Sequence, residues 1–240
     1  MTAIGDYRDV LNDNMIAAWP RVAAALEGLD CALMGGTAVA MVLRHRRSHD
    51  LDFMTLGSFD SPAVAAKLLS AAARAAYKDD DRPHIAKVAF DGVPVTVMRD
   101  LRGFVEGHAA QLAAPSVVDG IAVGSVPDLM ATKLEVIQHR RQGRDYIDIA
   151  AMDRAGVCTI EDGLRYHRQR YAPTVTYEET LRIAQLATSP PPTDPDPAFD
   201  RHLTEAAGHL AARRRAVLDW ALQSGQRPRP PQSELPDIEL

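Results

Sequence analysis

The stretch from Leu33 to Thr55, LMGGTAVAMVLRHRRSHDLDFMT, constrains the fold of this chain more than any other. Leu33 and Met34 close a short apolar run, and Gly35-Gly36 supply a tight turn that residues without a Cβ make cheaply. From near Thr37, Ala38 to Leu43 offer good helix formers and no breaker. Ser48 to Phe53 then alternates, with Ser48, Asp50 and Asp52 on one face of a strand and Leu51 and Phe53 on the other. The pattern reads strand, glycine turn, helix, strand.

The chemistry follows from that order. The free N–H groups of the helix's first turn, at its positive end, point back across the glycines and suit a phosphate. Carboxylates two apart on a strand point the same way, roughly 6.5 to 7 Å apart at Cα, and can share hard cations. Mg²⁺ takes oxygen ligands and commonly bridges carboxylates to substrate phosphates, so the two halves together suggest a nucleoside triphosphate (NTP). Taken singly, a Gly-Gly is an ordinary turn and an Asp-x-Asp an ordinary solvated strand end.

Gly35-Gly36-Thr37-Ala38, followed by Arg46-Arg47-Ser48 and Asp50-Leu51-Asp52-Phe53, resembles motif I of the polymerase-β-like nucleotidyltransferases, in the branch of the AbiEii/AbiGii abortive-infection toxins. Asp128 to Glu135, with Lys133, and Arg144-Asp145-Tyr146-Ile147-Asp148 resemble that branch's later helical segment and its Arg-Asp-x-x-Asp signature. The matches frame about the first 155 residues. The resemblance implies an α+β fold, a small mixed sheet with flanking helices followed by a helical C-terminal region. It also implies transfer of a nucleoside monophosphate from an NTP, with Asp50 and Asp52 holding Mg²⁺ (or Mn²⁺). Gly35, Gly36 and Thr37 would hold phosphates through N–H and hydroxyl groups, with Arg47 and Ser48 beside them. Lys133 would offset triphosphate charge, Asp145 would act as base or orienting group, and Asp148 would orient Arg144 or Lys133. Toxins of this kind modify RNA, notably tRNA, in phage defence, and act opposite an antitoxin. Relatives elsewhere in the superfamily modify small molecules or proteins.

Enzymes of the wider superfamily place a third carboxylate on the strand after the central hairpin. Here that position is Thr96. Asp100 could replace it only if the strand bulges or the next loop folds back. A second reading is therefore a catalytically idle protein of the same fold that holds a nucleotide or a partner.

Composition sets outer limits. With 240 residues and 46% hydrophobic content a sizeable core is available. No run of 18 or more apolar residues appears and the N-terminus does not read as a leader, so a cytoplasmic protein without membrane contact is expected. Cys31 and Cys158 read as buried thiols. A formal charge of −5 argues against a coat of positive potential for duplex DNA. Arg44 to Arg47, His139 to Arg144 and Arg165 to Arg170 remain as local patches for RNA, or as solvated helix faces.

Taken in order, residues 1–115 read as the nucleotidyltransferase-fold domain and 116–188 as a mostly helical region completing the site. A proline-rich linker at 189–198, a C-terminal helix at 199–225 and a flexible tail at 226–240 follow. Asp6 to Glu27 predicts a helix that Pro20 kinks or divides. Ser61-Pro62 predicts an N-cap and N1 pair for a helix running to about Tyr77, with 78–82 a loop. Asp91-Gly92 predicts a two-residue hairpin pairing Phe90 with Val93, Val88 with Val95, Lys87 with Thr96 and Ala86 with Val97. A smaller hairpin is expected around Asp119-Gly120, and Ser125, Thr159 and Thr176 are expected to cap three later helices. The last helix carries an apolar stripe of Leu203, Ala207, Leu210, Val217, Leu218 and Leu222, suited to the core, a second subunit or a partner.

Overall fold

The structure, a computed structural model, describes residues 3–77, 83–100, 102 and 109–225. The expected loop at 78–82 and tail at 226–240 lie outside them. A single mixed sheet organises the fold. Its strands are β1 (Ala32–Met34), β2 (Leu51–Thr55), β3 (Ala75–Tyr77), β4 (Ile85–Phe90), β5 (Val93–Arg99), β6 (Ser116–Val118) and β7 (Ile121–Val123), in the order β3-β4-β5-β2-β1-β7-β6. β2 runs antiparallel to β1 and parallel to β5, and β7 runs parallel to β1.

The two predicted hairpins form for the reason the sequence gives. Asp91 and Gly92 have φ of 50° and 84°, and Asp119 and Gly120 have 40° and 85°. These left-handed pairs twist with the strands they join. The β4–β5 register is the one expected, Lys87 opposite Thr96 included. β6 and β7 extend the sheet that holds β1, so the sheet continues past residue 115.

One sheet face is apolar. Leu51, Phe53, Val88, Val95 and Val97 are buried there in one core with Val22 of α1 (Asp13–Ala25) and Leu68 of α3 (Ser61–Ala71). The helix expected from Asp6 starts at Asp13, because Asn12 accepts the Met15 N–H at 2.9 Å and fixes the start; Ile4–Tyr7 is a separate 3₁₀ turn. Pro20 does not divide it: Met15, Trp19 and Val22 pack on both sides of a proline whose missing bond faces outward. Asp60, rather than Ser61, caps α3, accepting the Ala63 N–H at 3.1 Å. That helix stops at Ala71 instead of Tyr77, because Ala75–Tyr77 pairs with β4 as an edge strand, tertiary pairing that outweighs alanine's helix propensity.

α2 (Gly35–Leu43) joins β1 to β2 and packs against α4 (Val126–His139) and α5 (Gly143–Arg154), on which α6 (Ile160–Arg170), α7 (Tyr177–Ala187) and α8 (Asp200–Ser224) are assembled. Ser125, Thr159 and Thr176 cap α4, α6 and α7 as expected. α8 returns to the core against α5 and α7, burying Leu203, Ala206, Leu210, Val217 and Ala221; Leu222 is exposed. The proline-rich stretch before it packs on the α4–α5 turn. The Pro190 carbonyl accepts from Arg141, Asp194 holds Arg144 at 3.2 Å, and the Pro192 carbonyl leaves no room for a Cβ at Gly143.

Candidate active site

β1 ends at Met34, and Gly35, at φ +66°, turns the chain into α2 two residues earlier than expected. An L-residue is strained at that φ. Gly36 is needed for another reason: a Cβ there would overlap the Arg46 guanidinium and come within 3.4 Å of Asp148 Oδ2. The glycine turn is therefore also a passage through which Arg46 reaches Asp148.

β2 starts beside this turn because it runs antiparallel to β1, with Asp52 opposite Met34 and next to Thr96 of β5. Thr96, where the family resemblance leads one to expect a third carboxylate, hydrogen-bonds the Asp52 carboxylate. Burial first, and the neighbouring Asp50 charge second, push the Asp52 carboxyl up to about 6, against smaller opposing effects of the Thr96 bond and of Arg140 and Lys133. Among the described residues neither Asp50 nor Asp52 forms an ion pair. Two oxygen-donor groups that repel each other at the start of the central strand β2 fit a divalent cation, which would relieve the repulsion and restore ionisation.

Thr37, Ser48 and Asp50 form a latch. The Thr37 hydroxyl donates to the Asp50 carbonyl at 2.5 Å and lies 2.7 Å from Ser48 Oγ, while the Ser48 N–H donates to the Val10 carbonyl at 2.9 Å. Both side chains are buried. The Thr37 hydroxyl thus fixes the approach to β2, and Ser48 Oγ lies 3.4 Å from Asp50 Oδ1. Arg47 is exposed.

Lys133 comes from α4 and Asp145 and Asp148 from α5. Lys133 Nζ donates to Asp145 Oδ1 at 2.8 Å and lies 2.7 Å from Asp148 Oδ2. Asp148, fully buried, also takes a two-pronged contact from Arg46, 2.7 Å from Nε and 2.9 Å from Nη2, and sits 2.8 Å from His45 Nε2. Burial alone would raise its carboxyl, but the charges of Lys133 and Arg46 hold it well below the usual range. Asp145 is also held low, against burial, by Lys133 and Arg140. The expected Arg144–Asp148 pair does not form, since Arg144 is drawn to Asp194; Arg46 takes its place. Arg46 is thus withdrawn from the expected RNA-facing patch.

Asp100 does not substitute for the third carboxylate. It is fully buried, 2.9 Å from Arg170 and 3.2 Å from the Tyr171 hydroxyl. Sequence reasoning missed the roles of His45 and Arg46, which only chain tracing brings to Asp148. It also missed a cluster of Glu135, His167 and Glu179 whose ligand-type atoms lie within 4.8 Å of one another. Arg102 pairs with both glutamates there, and Glu135 is held at about 2, against burial, by hydrogen bonds from His167 and His139 and by the Arg102 charge. An internal cation already balances that cluster. Of the two thiols expected to be buried, Cys158 is and Cys31 is only half-buried; burial pushes Cys31 up to about 11 and Cys158 to about 12, so both stay protonated.

Residues 19–224 match the family described as nucleotidyl transferase AbiEii toxin, type IV TA (toxin–antitoxin) system. The chain belongs to the AbiEii family. The match runs well past the 155 residues framed by the motifs and takes in α8. No curated protein matches the chain in sequence. Among solved structures, the chain is similar to an H. pylori protein described as a candidate nucleotidyltransferase, with a TM-score of 0.50 and 14% identity. That likeness covers 88% of this chain and 96% of the other, and it shows the fold. This AbiEii-family chain is a nucleotidyltransferase of α+β fold. Among its described residues no helix is long and apolar enough to cross a membrane.

Proposed function

We propose that this AbiEii-family chain transfers a nucleoside monophosphate from an NTP to RNA, with tRNA the favoured acceptor, as the toxin of a pair whose antitoxin restrains it. The observation that carries the metal and nucleotide reading is geometric: the Asp52 carboxylate lies against the Gly35 turn, its Oδ2 3.4 Å from where a Cβ at Gly35 would stand, and among the described residues neither it nor Asp50 forms an ion pair. Asp50 and Asp52 would hold Mg²⁺ or Mn²⁺. When bound, the ion supplies charge neutralisation at the phosphates and polarises the phosphorus to be attacked. The Gly35 and Gly36 N–H groups face the triphosphate at the α2 N-terminus. Lys133, fixed by Asp145 and Asp148, adds positive charge whose position is set before substrate arrives, so little reorganisation is needed in the transition state. Arg46 and His45 fix Asp148 in turn.

The choice of RNA is supported by Arg47, Arg140 and Arg141, which are exposed and lie in the segments flanking the site on a chain of net negative charge. A second reading, binding without turnover, is favoured by Thr96, which hydrogen-bonds Asp52 where a third carboxylate is expected. The test is transfer of label from α-³²P-NTP to a tRNA pool at rising salt. Transfer that falls steeply with salt and weakens when Arg47, Arg140 and Arg141 are neutralised supports RNA. Nucleotide binding without transfer to any RNA or protein acceptor selects the second reading.

A further inference from the structure

On the sheet face that carries Asp52 lies an open pocket, lined by Met34, which stands opposite Asp52, and by Met54. Its floor is the continuation of the catalytic row. Asp52 is opposite Met34, and Met54, two residues on, is opposite Ala32. Ala122 and Gly124 flank the β7 residue paired with Leu33 and complete the floor. The Met34 side chain packs over Gly124, where a Cβ would overlap its sulfur. Leu56, Ala113 and Pro115 also line it, and polar groups stand among them: Gln111 from the 109–115 segment, Ser125 at the α4 N-cap, and Asp128 and Arg170, buried and paired with each other. Among the described residues the buried Arg170 Nε–H has no hydrogen-bond acceptor.

We propose that this pocket receives the nucleobase of the NTP, an inference that rests on the triphosphate reading above. Met54 stands two residues along β2 from Asp52, roughly 6.5–7 Å at Cα, a step that a ribose bridges. α4 ties the two ends together, with Lys133 at the phosphates and Ser125 at the pocket. A thioether and methyl floor suits the face of a planar heterocycle, since methionine sulfur packs well against aromatic rings. The polar groups of the walls suit its edge. α2, whose N-terminus would face the phosphates, leaves β1, and β1 is also part of the pocket floor, which puts both places within reach of one ligand.

The test compares NTP with inorganic tripolyphosphate, which has the charge but no base. Both are titrated with Mg²⁺ into the full chain by calorimetry, in the parent and in Met54→Trp and Ala122→Leu, which narrow the pocket from different strands. Expected is at least tenfold weaker NTP binding in both variants with tripolyphosphate binding within twofold of the parent and unchanged melting temperature. A constant ratio of NTP to tripolyphosphate affinity overturns the proposal, as does weakened use of the acceptor with NTP affinity intact. If one variant melts early, the other decides. Failure of the triphosphate reading is seen separately, as tripolyphosphate binding that survives Asp50→Ala and Asp52→Ala.

Discussion

Asp52→Asn is expected to make the metal-free protein more stable at pH 8 and no more stable near pH 3.8. The Asp52 carboxyl stands at about 6 in the fold against an ordinary 3.8, because burial and Asp50 both disfavour its charge. A folded value above the unfolded one means that ionisation opposes folding. The penalty is absent below about 3.8, grows between 3.8 and 6, and is complete above 6. A gap of about two units corresponds to about 3 kcal/mol at pH 8, and asparagine, which mimics the neutral acid, removes it. At roughly 2–4 °C per kcal/mol for a chain of this size, that is a rise of up to about 6–12 °C in melting temperature. Thermal melts of parent and variant in EDTA across pH 4 to 8 measure it. Adding saturating Mg²⁺ is expected to stabilise the parent and leave the variant nearly unmoved, narrowing or reversing the gap. A variant as stable as the parent or less stable at pH 8 in EDTA would refute the idea that ionising Asp52 beside Asp50 opposes folding.

Three further outcomes follow from the same geometry. Thr96→Val removes the hydrogen bond that lowers the Asp52 carboxyl and is expected to move the acidic limb of the rate profile to higher pH, read as kcat/KM against pH. Gly36→Ala is expected to push Arg46 from Asp148 and destabilise by about 3 kcal/mol or more in urea unfolding, because a buried charge pair is broken; Gly28→Ala, in open space, is expected to cost only about 1 kcal/mol for its left-handed φ. Asp148 and Asp145 are held below their usual range, so they contribute stability above about pH 4 that is lost as pH falls through their folded values. Asp148→Asn is expected to lower stability at pH 7 and to flatten this acid limb, measured by melting from pH 2 to 7.

Much of this was legible locally. Asp91-Gly92 fixed a register down to Lys87 opposite Thr96, because a two-residue turn leaves no slack, and Ser125, Thr159 and Thr176 marked helix starts by a bond spanning three residues. What the sequence could not show depends on distant partners. Ala75–Tyr77 is a strand only because β4 offers an edge, and Arg144 turns to Asp194 only because the proline stretch folds back. Arg46 looks like one more basic surface residue until the fold sets Asp148 beside it, 102 positions away. In the site, Asp50 and Asp52 were visible from alternation, whereas the latching of Thr37 and Ser48 required knowing that β2 starts beneath α2.

The central claim, that the Asp50–Asp52 pair supports metal-dependent nucleotidyl transfer despite Thr96, is tested most directly by running α-³²P- and γ-³²P-labelled NTPs side by side with Mg²⁺, a tRNA pool and a protein extract. Each is run with the parent and with Asp52→Ala. The account predicts that the parent places α-label, and no γ-label, on an acceptor, releases γ-label as pyrophosphate, and stops in EDTA, while the variant transfers nothing. Label transfer by Asp52→Ala at the parent's rate, or γ-label on the acceptor, would contradict it.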